Sequence, residues 1–175
     1  LVSASLFESG CAKRYTLINA GKSGGTVTDA LERLDRDVLA YDPDLVIIGF
    51  GINSWLFSDI PPEKTKKDLR KLVHRIREQS NTSILLRTPH PILNKETGQW
   101  EQPPELKATV RAIREIAKQQ NIELVDHFAL WTKDLPDPGE TMYDWIHPNE
   151  KGHLRFFREI APVLGLKTEL RWMEE

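Results

Sequence analysis

The chain has little cysteine, no long apolar stretch and no excess of charge of one sign. Its 175 residues include one cysteine, Cys11, which excludes an internal disulfide and does not decide the compartment. We favour the cytoplasm, with secretion as the alternative if a further segment precedes the chain. No run of about eighteen apolar residues occurs, so we expect no membrane span. With 24 basic against 26 acidic side chains the net charge is -2, and we expect no nucleic-acid partner, because such a partner requires a concentrated positive surface.

What the chain does contain is an alternation of apolar runs and helical patterns, in a length that suits one domain. We predict a single domain over 1–175, with a core at 1–164 and a C-terminal tail at 165–175 that packs on the core or meets a partner subunit. Strands are predicted at 15–18, 44–50, 83–88 and 123–126, and helices at 26–40, 61–79, 106–120 and 148–160. Strands separated by such helices indicate an α/β fold with a parallel sheet covered on both faces.

The segment Asp144-Trp145-Ile146-His147-Pro148 carries the strongest chemical signal. In an isolated motif of this kind the histidine is more often a helix-capping residue before Pro148, and the aspartate a loop carboxylate bonded to nearby backbone amides. As chemistry, the spacing lets Asp144 hold one imidazole nitrogen of His147 while the other nitrogen accepts a hydroxyl proton as general base. Asp144 would also stabilise the imidazolium that forms in this step.

Two glycine-bearing loops are candidate sources of oxyanion donors. A glycine at position 24 allows a carbonyl oxygen to approach its backbone N–H, and Asn53 offers a side-chain N–H for the same oxygen. The alternatives are a turn glycine and an asparagine that satisfies its own loop, and Ser23 is interpreted as a loop organiser. Because ligands of open parallel sheets bind beyond the carboxyl ends of the strands, we expect the loops at 21–25, 51–54 and 144–147 at one edge.

We predict no metal and no cofactor. His147 and His153 are six residues apart, a spacing that does not place them together on a helix as a metal pair. His90 lies in the proline-bearing loop at 89–104, a long connection that favours a substrate-facing role.

Three segments together resemble the SGNH (GDSL-type) hydrolase family of esterases and lipases. The segments 19–24, 51–54 and 144–147 resemble its second, third and last sequence blocks, in the right order, and the similarity runs from about residue 17 to about residue 164. The resemblance implies a three-layer α/β/α, flavodoxin-like fold. It also implies that Gly24 and Asn53 form the oxyanion hole and that Asp144 and His147 are the acid and base of the triad.

Two departures from the family pattern concern Ser54 and the nucleophile. Ser54 stands where the family usually has aspartate, and the first block, which carries the catalytic serine, is not recognisable. Either 1–9 is the helix that follows that block and the nucleophile lies upstream of Leu1, or Ser5 is the nucleophile in a degraded block. We favour the first, because the second leaves too short a crossover between parallel strands. We therefore expect an upstream segment, or another element in the place of the first strand.

The expected function is a serine esterase that cleaves carboxylic esters through an acyl-enzyme. A carbohydrate acetyl ester is favoured over a long-chain lipid, because no large apolar lid is visible, and Trp55, Trp100 and Trp145 are candidates for stacking on sugar rings or for packing. The main alternative is a truncated or inactive relative that binds without catalysis. A nucleotide or phosphate binder that uses 21–25 is a weaker one, since no phosphate-loop motif follows a strand. The oligomeric state is not determined.

Overall fold

The computed structural model describes residues 15–79 and 81–168. These residues group into two compact units. The sheet unit consists of Ala20–Pro91 and Glu101–Lys133. The C-terminal unit consists of the described parts of 15–19, 92–100 and 134–168.

The described elements are five strands and seven α-helices, with a short 3-10 helix at Leu39–Tyr41. The strands are β1 (Leu45–Gly49), β2 (Ser83–Arg87), β3 (Ile92–Leu93), β4 (Trp100–Glu101) and β5 (Glu123–Val125). The α-helices are α1 (Val27–Asp37), α2 (Ile52–Phe57), α3 (Pro62–Gln79), α4 (Pro104–Gln120), α5 (His127–Lys133), α6 (Pro138–Thr141) and α7 (Glu150–Ile160).

A parallel sheet of order β1-β2-β5 lies in the sheet unit. Leu45 is opposite Ser83, and Leu85 is opposite Glu123. Alternate residues of a strand point to opposite faces, and one face of this sheet packs on α1, α3 and α4. The side chains that form this core are Val27, Ala30, Leu34, Ile48, Leu69, Leu72, Val73, Ile76, Leu86, Ile113, Ile116, Ala117 and Ile122.

Local side-chain chemistry fixes where these helices begin and end. Thr26 and Asp29 form a capping box at the start of α1, in which each side chain accepts a backbone N–H of the other residue. The helix α4 is followed by the C-cap Asn121, whose left-handed backbone (φ 49°) suits asparagine better than most residues.

A buried carboxylate joins α3 to α1. Asp68 is 4% exposed and accepts hydrogen bonds from Thr28 Oγ1 at 2.7 Å and from Lys64 Nζ at 2.6 Å. Burial raises the pKa of Asp68, but the hydrogen bonds from Lys64 and Thr28 outweigh it and leave the pKa below its ordinary value. The two partners therefore keep this carboxylate ionised between the helices.

The predicted fold class, an α/β fold with a parallel sheet flanked by helices, is confirmed. The predicted strands at 44–50, 83–88 and 123–126 and the predicted helices at 26–40, 61–79 and 106–120 are also confirmed, with small shifts of their ends. Among the described strands, β1 pairs with β2 alone, so it lies at an edge of the described sheet.

The predicted strand at 15–18 is wrong. These residues are not in a strand, and Tyr15, Leu17 and Ile18 are 47%, 54% and 49% exposed. An apolar run becomes a strand only where a neighbouring strand completes its backbone hydrogen bonds, and no described strand pairs with this segment.

The final helix begins later than predicted. It starts at Glu150, with Asn149 as its N-cap, because the Asn149 side chain accepts the Gly152 N–H at 3.1 Å. Pro148 instead forms an antiparallel bridge with Met142. The loop at 89–104 contains the short strands β3 and β4, and α2, α5 and α6 are too short for their periodicity to predict.

Other expectations fall outside what is described. The helix at 1–9, Ser5 and the tail from residue 169 onward lie outside the described residues. The single domain over 1–175 stays a prediction. Of the helices that the structure describes, none combines the length and apolar character needed to cross a bilayer.

Removal of core volume between the sheet and α4 will destabilise the protein. Ile116 is completely buried, so Ile116→Ala should lower the free energy of unfolding by about 2–5 kcal/mol through lost burial and the cavity left behind. Urea denaturation measures this, with Leu130→Ala, whose residue is 40% exposed, as the control expected to cost less than about 1 kcal/mol. Equal losses in the two variants would contradict the described core.

Candidate active site

The Asp144–His147 segment is a closed loop of the C-terminal unit. The Tyr143 N–H donates to the His147 carbonyl at 2.8 Å, and the bridge between Met142 and Pro148 continues this pairing outward. These backbone bonds bring the two ends of the loop together. Asp144 and His147 are therefore held on a short segment with little freedom to separate.

Inside this loop the Asp144 carboxylate accepts three hydrogen bonds. Its Oδ2 is 2.7 Å from His147 Nδ1, and its Oδ1 accepts the backbone N–H groups of Ile146 at 2.8 Å and of His147 at 2.7 Å. Since a carboxylate only accepts, Nδ1 carries the proton and Nε2 is the basic nitrogen of the neutral ring. The His147 side chain is 68% exposed, so a substrate can reach this ring.

The hydrogen bonds that the Asp144 carboxylate accepts also stabilise its negative charge. Partial burial raises the pKa of Asp144, but hydrogen bonds from the His147 ring and from the Ile146 and His147 backbone outweigh it. The pKa of Asp144 therefore lies below the ordinary aspartate value. The carboxylate thus remains an acceptor for His147 in neutral and mildly acidic solution.

Gly24 lies in a tight turn of the sheet unit. The Gly25 N–H donates to the Lys22 carbonyl at 3.0 Å, which closes a four-residue turn over 22–25. Gly24, the third residue of this turn, has φ 67°, the positive value that a type II turn needs at this position. It is exposed and no other group lies within 4 Å of where its Cβ would be, so its backbone is open to an approaching ligand.

Asn53 contacts this turn directly. It lies at the start of α2, and its Nδ2 donates to the Gly25 carbonyl at 3.1 Å. An amide nitrogen has two hydrogens, and this bond uses one of them. The Asn53 amide is therefore bonded to the turn that contains Gly24 and is oriented by it.

Gly51, just before α2, is a position where only glycine fits. Its φ is 141°, and a Cβ there would lie 2.9 Å from Thr109 Cγ2 and 3.3 Å from Pro89 Cγ. The same loop leads to Ser54, the residue that departs from the family pattern, which is 1% exposed. An aspartate at this buried position would need a compensating charge, whereas serine introduces none.

The remaining predicted residues divide between the two units. His90 is 4% exposed, and its ring stacks on Trp131 at a centroid distance of 5.1 Å. It is therefore buried, whereas the sequence favoured a substrate-facing role. Trp100 Nε1 donates to the Pro136 carbonyl at 2.6 Å, and Lys95 Nζ lies 3.9 Å from the Trp145 ring centroid. Trp55 is half-buried.

One polar network at the carboxyl ends of β2 and β5 has no counterpart among the predicted site residues. Asp126 receives two bonds from Arg114, at 2.7 and 3.1 Å, and one from Thr88 Oγ1 at 3.1 Å. Burial raises the pKa of Asp126, but the bonds from Arg114, from the Ala129 N–H and from Thr88 bring it below the ordinary value. Thr88 and Asp126 directly follow strands, and that position is the signal that points to them.

The structure thus assembles two pairs. It brings Asn53 together with the Gly24 turn in the sheet unit, and it joins Asp144 to His147 in the C-terminal unit. In this α/β fold a carboxylate with a lowered pKa orients an exposed imidazole. This combination is characteristic of hydrolases that activate a hydroxyl nucleophile.

Comparison with known families agrees with this class. The model of the GDSL-like lipase/acylhydrolase family matches residues 3–155, and the chain belongs to this family. The resemblance to SGNH hydrolases that the sequence blocks show is therefore confirmed.

Three relatives illustrate the similarity. The chain is 32% identical over 162 residues to an acetylxylan esterase of Geobacillus stearothermophilus, which covers 86% of this chain and 73% of that enzyme. Among solved structures, LAE5, an alpha/beta hydrolase enzyme from the metagenome of Lake Arreo in Spain, matches with TM-score 0.78 and 28% identity over 94% of this chain and 79% of its own. The acetyl xylan esterase AlAXEase matches with TM-score 0.78 and 27% identity over 91% of this chain and 86% of its own. The chain is thus homologous to carboxylic ester hydrolases.

Substitution of Gly51 will disturb the Asn53 loop. Gly51→Ala should lower the free energy of unfolding by about 2–4 kcal/mol, because strain at positive φ adds to the overlap with Thr109. Thermal or urea denaturation measures the loss. Gly98→Ala is the matched control, since Gly98 has φ 67° but open space around it, and it should cost about 1 kcal/mol. If Gly51→Ala were no worse than the control, the close contact with Thr109 would be disproved.

Proposed function

We propose that this protein is a serine esterase that removes acetyl groups from carbohydrate esters, with Asp144 and His147 as the acid and base of its triad. The observation that carries the proposal is the 2.7 Å bond between Asp144 Oδ2 and His147 Nδ1, which leaves Nε2 of an exposed ring free for proton transfer. Membership of the lipase/acylhydrolase family supports the reaction type.

The first half of the reaction forms an acyl-enzyme. A serine hydroxyl attacks the ester carbonyl, and His147 Nε2 takes the hydroxyl proton. Asp144 stays ionised, keeps the ring in its tautomer and stabilises the imidazolium. Ser5 is the less favoured candidate for this serine, since it would leave too short a crossover between parallel strands.

The tetrahedral intermediate places a negative charge on the former carbonyl oxygen. In this proposal the Gly24 N–H and the Asn53 Nδ2–H donate to that oxygen, which is supported by the contact of Asn53 with the Gly24 turn. Loss of one such donor costs about 2.7–4 kcal/mol of transition-state stabilisation in other hydrolases. Both donors are oriented before substrate arrives, one by the backbone and one by its bond to Gly25.

The second half returns the enzyme to its starting state. The imidazolium of His147 protonates the departing alcohol oxygen as the carbon–oxygen bond breaks. A water molecule then attacks the acyl-enzyme, His147 accepts its proton, and the acid leaves as the serine recovers its proton. One base therefore serves both proton transfers.

The choice of carbohydrate acetyl esters rests on the relatives. Two of the three similar proteins described above are acetylxylan esterases, one of them at 32% identity. An acetyl group requires only a small acyl pocket, in keeping with the absence of a long apolar lid in the sequence.

Removal of the proposed base should abolish turnover. We expect full-length protein to hydrolyse p-nitrophenyl acetate and acetylated xylo-oligosaccharide faster than a p-nitrophenyl ester of a long-chain acid. His147→Ala should lower kcat by about 10³-fold or more, since the base takes part in both steps. The measurement is initial rate against substrate concentration for each ester.

His74→Ala provides the matched control for this assay. His74 is a 70% exposed histidine that faces Glu78 on α3, so its removal should leave kcat unchanged. Full activity of the His147→Ala variant would reject the proposed role. Activity confined to long-chain esters would reject the carbohydrate ester but not the triad.

Removal of the side-chain oxyanion donor should lower kcat more than it alters KM. Asn53→Asp keeps the size of the side chain but replaces the N–H donor with a second oxygen, and we expect a loss in kcat of about 10²–10³-fold. Steady-state kinetics on p-nitrophenyl acetate tests this, with thermal unfolding alongside because the bond to Gly25 is lost as well. An unchanged kcat in a folded Asn53→Asp variant would remove Asn53 from the oxyanion hole.

A further inference from the structure

A small hairpin, residues 92–100 of the C-terminal unit, is organised by its own polar groups. Asn94 Oδ1 accepts the backbone N–H groups of Glu96 and Thr97, both at 3.0 Å, and the Asn94 N–H donates to the Gln99 carbonyl at 2.8 Å. At its end, Trp100 Nε1 is bonded to the Pro136 carbonyl. The hairpin is thus a fixed element rather than a loose connection.

This 92–100 hairpin contacts the Asp144–His147 loop at Trp145. The Leu93 N–H donates to the Trp145 carbonyl at 2.8 Å. Lys95, which is exposed, places Nζ 3.9 Å from the centroid of the Trp145 ring, a distance suited to a cation–π interaction. One bond therefore holds the backbone of Trp145 and the other holds its side chain.

The ammonium group of Lys95 faces the Trp145 ring and forms no ion pair with a described carboxylate. Within residues 15–79 and 81–168 no carboxylate lies at ion-pair distance from its ammonium group, unlike Lys64 and Lys66, which pair with Asp68 and Glu115. The Trp145 ring is thus the group that Lys95 Nζ approaches.

The location of Trp145 gives this contact its importance. Trp145 lies between Asp144 and Ile146, inside the loop whose carboxylate holds the imidazole. The His147 ring is 68% exposed, so packing around the ring does little to fix it and its position depends on the loop backbone. A clamp on Trp145 restrains that backbone from outside the loop.

We propose that Lys95 is a positioning residue for the Asp144–His147 pair and acts through the Trp145 ring. The inference rests on the proposed function of that pair. Lys95 itself touches neither the carboxylate nor the imidazole in this role. Its contribution is to narrow the range of loop conformations, so that the imidazole spends more time where it can accept the serine proton.

The kinetic test uses Lys95→Met, which keeps the length of the side chain and removes its charge. We expect kcat to fall about two- to fivefold, the factor that corresponds to a cation–π contact at an exposed site, with KM unchanged. The factor should be equal for p-nitrophenyl acetate and acetylated xylo-oligosaccharide. Lys95→Arg should restore kcat, because an arginine also interacts with an aromatic ring.

Two further variants show whether the effect passes through Trp145. Adding Lys95→Met to Trp145→Leu should cause no additional loss, because the ring is then absent. Lys151→Met is the charge control, since Lys151 belongs to the same unit but is 69% exposed and faces Glu140, and it should leave kcat unchanged.

A spectroscopic readout separates this inference from the proposed function. In protein labelled with ¹⁵N-histidine, the His147 Nδ1–H proton that is bonded to Asp144 should exchange with water faster in Lys95→Met than in the wild type. If wild-type protein shows no ester turnover, the proposed function fails, and this exchange rate alone decides the positioning role. A change in KM for one ester only, or equal kcat and equal exchange in Lys95→Met and wild type, would overturn the proposal.

Discussion

The hydrogen bonds accepted by the Asp144 carboxylate determine the geometry of the candidate site. Two of them come from backbone N–H groups of Ile146 and His147 and set the loop, and the third sets the tautomer of the imidazole. One carboxylate therefore folds the segment and prepares the base, and its lowered pKa follows from the same three donors. The backbone bonds that close this loop therefore also orient the carboxylate toward the imidazole ring.

In the sheet unit, too, one set of hydrogen bonds both folds a loop and orients a polar side chain. The positive φ of Gly24 completes a turn, and the carbonyl that follows the turn orients the Asn53 amide. Directly after the turn, the Thr26–Asp29 capping box starts α1, so the loop is tied to a helix that packs in the core. Polar groups that would act on a substrate are thus held by bonds whose first effect is structural. This arrangement limits the motion of the donors, and preorganised donors stabilise a transition-state charge most effectively.

Most of the fold was open to prediction because its signals are local. Apolar runs at 44–50, 83–88 and 123–126 and the periodic stripes of three helices are visible in short windows, and Asp144 and His147 are three residues apart. The run at 15–18 misled because strand formation depends on a partner that a local pattern does not reveal. The Lys95–Trp145 contact joins segments about fifty residues apart, and no local pattern in either segment predicts that they meet. Long-range pairings of this kind follow from the fold and not from motifs.

The close packing around Gly51 limits which residues position 109 can hold. The space that a side chain would need is filled by the methyl group of Thr109, which belongs to a core helix, and by the ring of Pro89 at the end of a strand. A bulkier residue at position 109 would therefore displace the neighbouring loop that carries Asn53, and a smaller one would leave a void beneath that loop. Because the positive φ of Gly51 requires glycine whatever lies beside it, the contact can be kept only by a residue of about threonine's size at position 109.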